Sequence, residues 1–145
     1  GGQIGGSNIA RENALSHVFG YGVGIDLTRR DLQQEAKDKK RPWDWGKGFD
    51  NSAPISALRK ASEIGHPAAG RIHITVNGAV KQEGDLSQLF GPGADVIAVI
   101  SQSMRLEAGD LIYTGTPAGV GPVQPGDVLK GEVAGVASLT INIKP

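Results

Sequence analysis

Three groups of residues carry side chains whose type and spacing could do chemistry. Asp26 is followed by Arg30 and Gln33, the latter two three positions apart. If a helix begins near Thr28, that spacing puts Arg30 and Gln33 on one face. A carboxylate, a guanidinium and an amide would then converge at a strand end. The plain alternative is an exposed aspartate beside a solvated helix. Lys47 lies between Gly46 and Gly48, with Trp43, Trp45 and Phe49 around it. A lysine held by glycines among aromatics can be partly desolvated and fixed in place; the alternative is a surface lysine in a loop. Thr114-Gly-Thr116-Pro-Ala-Gly-Val-Gly121 offers hydroxyls and free amides, a conceivable cradle for an anion. It is not a P-loop, because no Gly-Lys-Ser/Thr follows, and simple turn chemistry competes with the cradle.

The elements that must position these groups are read from periodicity. Residues 9–19 place Ala14, Leu15, Val18 and Phe19 at helical spacing, with Gly20 as a stop. Apolar residues at 21, 23, 25 and 27 alternate, which predicts a strand over 21–28 with glycines where something approaches closely. Thr28 as N-cap and Asp31 as its reciprocal partner predict a polar helix over 29–40, ending before Pro42. Residues 41–50 have no periodicity and read as a loop. Ile72, Ile74 and Val76 alternate up to Asn77-Gly78, the strongest short-range hairpin signal, and the pattern resumes at Val80 and Gln82. Residues 95–104, with Asp95 as N-cap, read as a helix. Leu111–Thr114 reads as a short strand, and 128–143 as two strands turning at Ala134-Gly135. Several short strands with few helices indicate an α+β, β-rich roll or sandwich.

Composition narrows the rest. The chain has 145 residues, enough for one domain with a real core, and its formal net charge is zero. The longest basic run is Lys39-Lys40-Arg41, so nucleic acid is not an expected partner. No cysteine is present, which excludes disulfides and thiolate metal sites and accords with a reducing compartment. No apolar stretch reaches the ~18 residues of a membrane span, so the expectation is a soluble, cytoplasmic protein without membrane partners. His17, His66 and His73 show no ligand spacing and read as structural or exposed. Glycine is abundant, 22 of 145, and mostly marks turns. The glycines of residues 1–6 and Gly91-Pro-Gly93 fit a compact fold least well.

Taken in order, the blocks Tyr21-Gly-Val-Gly-Ile-Asp-Leu-Thr-Arg-Arg-Asp-Leu-Gln33, Pro42-Trp through Gly-Lys-Gly-Phe-Asp50, Val76-Asn-Gly through Gln82, and Gly109-Asp-Leu-Ile-Tyr-Thr-Gly-Thr-Pro-Ala-Gly-Val-Gly121 resemble the fumarylacetoacetate hydrolase family. Within it they are most similar to the fumarylpyruvate and acylpyruvate hydrolases. The resemblance covers nearly all of residues 7–145 and implies one catalytic domain with that family's mixed β-sandwich roll. It implies metal-dependent hydrolysis of a carbon–carbon bond in a 2,4-dioxo acid, in aromatic-compound breakdown, by a homodimer. Keto-acid decarboxylation or isomerisation on the same site is the enzymatic rival, and a non-catalytic scaffold or binding domain is the rival of another class.

The resemblance also assigns roles. Asp26 corresponds to one of three acidic ligands of Mg2+ or Mn2+. Lys47, Arg30 and Gln33 correspond to the groups that stabilise developing negative charge, and Thr116 to a substrate-binding hydroxyl. The other two ligands of the family come from a Glu-x-Glu pair, and water activation from a His–Glu pair on a lid helix. No Glu-x-Glu occurs in these 145 residues and no histidine matches the lid. The expectation is a partial catalytic domain beginning where that strand would have ended, with metal held weakly by the chain alone.

Overall fold

The structure is a computed structural model, described for residues 6–89, 91 and 93–144. The expectations on the opening glycines 1–5 and on Pro92 fall outside those residues. Its architecture is mixed α+β, with two antiparallel sheets and a few short helices, as the alternation of the sequence predicts.

The larger sheet has the order β4-β3-β5-β6, from β3 (Arg71–Val76), β4 (Ala79–Asp85), β5 (Val128–Val133) and β6 (Ala137–Asn142). Asn77 and Gly78 join β3 to β4 with φ of 52° and 82°. Positive φ at both positions is what a two-residue hairpin with the right strand twist requires. Gly135, at φ 74°, serves the β5–β6 turn. Period-two alternation then sorts the faces. Leu129, Gly131 and Val133 of β5 are buried, while Lys130 points out.

The second sheet is only β1 (Gly20–Tyr21) against β2 (Arg59–Lys60). The strand expected over 21–28 is extended but not a continuous ladder. It continues through an isolated bridge at Gly24–Ile55 and backbone bonds from Ile25 N to Pro54 O and Leu27 N to Ser52 O. Pro54 has no N–H to return, so the ladder is interrupted. Burial still alternates, with Val23 and Ile25 inside and Gly24 and Asp26 outside. Val23 and Ile25 lie on Gly131 of β5, where a Cβ would come 3.2 Å from Val23 Cγ1. Val133 and Val136 complete that core.

A second core joins the helices. Ile9, Ala14, Ala94 and Ile97 pack together with Leu106 and Ile112 around them. The helix expected over 9–19 is shorter, α1 (Arg11–Ala14) followed by a 3-10 turn at Leu15–His17, because the chain becomes extended at Val18 to enter β1. The long apolar helix is α5 (Gly93–Ser103). Asp95 is not its N-cap; it sits in the first turn and pairs with Arg11 of α1. The remaining helices are α2 (Arg30–Asp38), α3 (Asp44–Lys47) and α4 (Ala61–Ile64). One expectation fails outright. Leu111–Thr114 is not a strand, and among the described residues it has no backbone partner to pair with.

Candidate active site

Helix α2 begins at Arg30 with Arg29 as N-cap, one residue later than predicted, and no side chain caps it. Thr28 is not the cap because its hydroxyl is occupied. It accepts from Lys47 Nζ at 2.9 Å and donates to the Asp26 carbonyl at 3.2 Å. What fixes the start of α2 is a backbone tie to the following segment, Arg29 N to Gly46 O at 2.9 Å.

That tie explains where Lys47 goes. Residues 41–50 are not a plain loop but contain the single turn α3. Gly46 is buried against α2, where a Cβ would meet Gln33 N at 3.1 Å and Arg29 O at 3.3 Å. A side chain here would press the two elements apart by a few tenths of an ångström, and the glycine lets the next residue be delivered to the end of the 21–28 segment. Lys47 Nζ donates to Asp26 Oδ2 at 2.5 Å as well as to Thr28. Their side chains are 31% and 46% exposed, so the pair is half-solvated rather than buried. An ammonium has three hydrogens; two are used here and one remains for a ligand.

On the other side of α2's first turn, Arg30 Nη1 donates to Gln33 Oε1 at 3.0 Å. Gln33 is 5% exposed and cannot wander. Arg30's sequence neighbour Arg29, the N-cap with extended backbone, instead lies 4.4 Å over the Phe49 ring. Arg30 and Gln33 on α2 and Lys47 on α3 are thus carried by two elements locked together at Gly46, and Lys47 ties in Asp26 of the 21–28 segment. Thr116 touches none of them. It belongs to the irregular segment 107–124, which is tied to the cluster through Tyr113. The Tyr113 ring covers Gly24, where a Cβ would lie 2.4 Å from Cε1, and its hydroxyl donates to Ala53 O at 2.9 Å. Burial, and then the charge of Asp26, push the Tyr113 hydroxyl above its ordinary pKa, so it remains a donor at neutral pH.

Sequence reasoning passed over Thr28 as a lysine partner and Tyr113 altogether. The trace of Tyr113 was Gly24 itself, a glycine on the outward side of an alternating run. The histidines have no part in this cluster. His66 Nδ1 meets the Tyr21 hydroxyl at 2.6 Å, and His17 and His73 each bury an unpartnered Nδ1 elsewhere.

The donor set bears on the metal that the resemblance implies. A magnesium ion wants octahedral oxygen ligation and commonly takes one or two carboxylates along with waters and substrate oxygens. Among the described residues no three His, Asp or Glu side chains gather, and Asp26 alone stands at the cluster. These residues do not by themselves fit a bound ion. The chemistry they can do is that of their own charges and hydrogen bonds: Lys47 keeps one ammonium hydrogen to donate, and Arg30 its remaining guanidinium hydrogens.

The fumarylacetoacetate hydrolase C-terminal family model matches residues 2–144. The chain belongs to the fumarylacetoacetate hydrolase family. A Burkholderia cenocepacia family member, solved as a candidate fumarylpyruvate hydrolase, is 58% identical with a TM-score of 0.95, over 97% of this chain and 63% of that one. The Pseudomonas aeruginosa fumarylpyruvate hydrolase, solved with Mn2+ and pyruvate, is 42% identical with a TM-score of 0.94, over 97% of this chain and 60% of that one. The mouse mitochondrial oxaloacetate tautomerase FAHD1 is 39% identical over 96% of this chain and 63% of its own length. The chain therefore spans about three-fifths of the length of these family members. Among its described residues no helix is long and apolar enough to cross a membrane.

Proposed function

We propose that this chain is the greater part of an acylpyruvate hydrolase site, acting on fumarylpyruvate or a related 2,4-dioxo acid in aromatic-compound breakdown. The observation that carries the reading is Lys47, fixed by Asp26 and Thr28 with a free N–H, on an element locked to the Arg30–Gln33 pair. Hydrolysis adds water to the acyl carbonyl, breaks its bond to the methylene carbon and releases pyruvate as an enolate that takes up a proton. Negative charge collects on oxygen in that step. Preorganised cations and donors aimed at it are the usual largest source of catalysis. Lys47 and Arg30 would hold the oxyanion, Gln33 would orient Arg30, and Thr116 would receive a substrate oxygen. Asp26 is proposed as one ligand of a Mg2+ or Mn2+ whose other ligands are not among the described residues. The proposal includes one catalytic domain over 1–145 in a homodimer, carried by the resemblance alone, and a cytoplasmic location, carried by the composition.

Tautomerisation or decarboxylation of a keto acid is the second reading, favoured by the likeness to the mouse enzyme. It uses the same enolate-stabilising cations, so products must separate the two. The test joins this chain behind the preceding portion of the Pseudomonas relative and supplies an acylpyruvate with Mg2+ or Mn2+. Pyruvate and the free acid should appear in equal amounts, and Lys47→Met should lower turnover by about a hundred- to thousandfold while changing substrate affinity little. Undiminished turnover would remove Lys47 from the mechanism; carbon dioxide or the bare tautomer as product would select the second reading.

A further inference from the structure

Thr116 is exposed, and a threonine hydroxyl left to itself either donates or accepts. Here one of those options is closed. Gln82 of β4 donates through Nε2 to Thr116 Oγ1 at 2.7 Å and to the Pro117 carbonyl at 2.6 Å. A carbonyl can only accept, so Pro117 fixes which end of the Gln82 amide faces the loop. Both amide hydrogens are then in use, and Thr116 Oγ1 must accept one of them. Its own hydrogen is directed away from Gln82, and among the described residues it has no acceptor. The loop does not depend on Gln82 for its seat. Gly119 lies on β4 so closely that a Cβ would come 2.1 Å from the Lys81 carbonyl oxygen, and Pro117 packs on Gly84.

We propose that Gln82 is a positioning residue that forces Thr116 to act as a hydrogen-bond donor, so that the site accepts ligands presenting an oxygen acceptor, such as the carboxylate of a keto acid, at that point. The inference rests on the functional reading above, from which Thr116 takes its role. Gln82→Glu reverses the polarity: an ionised carboxylate has no hydrogen to give, draws the Thr116 hydrogen to itself and repels the Pro117 carbonyl. Gln82→Leu simply removes the contact.

The experiment is an NMR titration of the full chain with pyruvate, following the amides of Gly115 and Gly119, in wild type, Gln82→Glu, Gln82→Leu and Thr116→Val. Wild type should bind in the millimolar range. Near neutral pH Gln82→Glu and Thr116→Val, which redirect or delete the Thr116 hydrogen, should bind about tenfold more weakly or worse, the scale of one hydrogen bond to a charged group, while Gln82→Leu, which leaves that hydrogen free to turn either way, should lose less. As pH falls below about 4.3, the ordinary glutamate value, the introduced carboxyl regains a hydrogen. Gln82→Glu should then recover part of its loss relative to wild type at the same pH, its one hydrogen standing in for two, while the smaller loss in Gln82→Leu should not change with pH. A purely structural role would weaken Gln82→Glu and Gln82→Leu to the same extent at every pH, and that result overturns the proposal. So does undiminished binding by Gln82→Glu at neutral pH. No response of wild type to pyruvate would overturn the ligand assignment made here, whereas the functional reading stands or falls on the products of the joined protein.

Discussion

Replacing Gly24 by alanine isolates the Tyr113 contact that ties the Thr116 loop to the Asp26 segment. Gly24 does not have a positive φ, so its backbone suits alanine. At a compatible position that change stabilises by about 0.4–1 kcal/mol through the unfolded chain. The added methyl, however, would lie 2.4, 2.8 and 2.9 Å from Cε1, Cζ and the hydroxyl of Tyr113. Those atoms are the far end of a side chain that is 40% exposed, so the ring swings out rather than the backbone yielding. Swinging out loses the hydrogen bond to Ala53, about 0.5–1.5 kcal/mol. It also loses the apolar contact of a part-buried ring, about 1–2 kcal/mol by area. The losses outweigh the gain, and the net is about 1–2 kcal/mol. Unfolding entropy for 145 residues is about 0.3 kcal/mol/K, so Tm should fall by about 3–7 °C. The assay is thermal unfolding of the chain, followed by tryptophan fluorescence, in a cycle with Tyr113→Ala. Once the ring is absent, Gly24→Ala should be neutral or slightly stabilising. A Tm unchanged or raised in the single variant, or strict additivity in the cycle, would refute the contact.

Three further outcomes follow from the same geometry. In the joined protein, Arg30→Ala should lower turnover by about tenfold or more, as loss of a charge-assisted contact does, whereas Arg29→Ala should spare it. Arg29→Ala should instead cost about 0.5–1 kcal/mol of stability through its Phe49 contact, seen as a small drop in Tm; the reverse order would show that the wrong arginine has been assigned. Asp85 accepts from the Ser87 side chain first, then the Ser87 and Gly70 amides, and these hold its carboxyl below the ordinary aspartate pKa. A depressed folded value stabilises above about pH 4 and is lost as pH falls through it. Wild type should therefore melt higher than Asp85→Asn at pH 7, with the gap closing on acidification; a gap independent of pH would contradict this. Finally, the 145-residue chain with millimolar-range Mg2+ or Mn2+ should turn over an acylpyruvate far more slowly than the joined protein. An Asp26→Asn control should make no difference, since one carboxylate holds such ions weakly; clear turnover that the control abolishes would reveal ligands not recognised here.

What the sequence disclosed was whatever is written locally. Asn77-Gly78 announces its hairpin because both positions need positive φ, and few residue pairs tolerate that. Val23 and Ile25 announce their burial by alternation alone. The glycines at 22 and 24 announced close approach without saying to what, and the answers were the Leu58 and Ser56 side chains and the Tyr113 ring. Leu111–Thr114 looked like a strand because alternation reports a two-faced extended segment, not whether a neighbour exists to pair with it. Thr28 looked like a helix cap because capping statistics cannot see a lysine arriving from 19 positions away. Gln82 was legible only as part of a motif. Its bond to Thr116 spans 34 positions and depends on a hairpin and a loop meeting in space.

The seat of residues 114–121 on β4 has a consequence for solubility. β4 is an outer strand of the larger sheet, and an outer strand left bare is a template for pairing with another molecule. Gly119 lies against the Lys81 carbonyl, and Gln82 and Gly84 hold Thr116 and Pro117 beside it. The segment proposed to offer a hydroxyl to a ligand is therefore also the guard over that strand. A substitution that lifts it, such as a side chain at Gly119, would lose ligand recognition and invite aggregation together. In a screen for activity alone, such variants would be mistaken for catalytic lesions when the material had simply come out of solution.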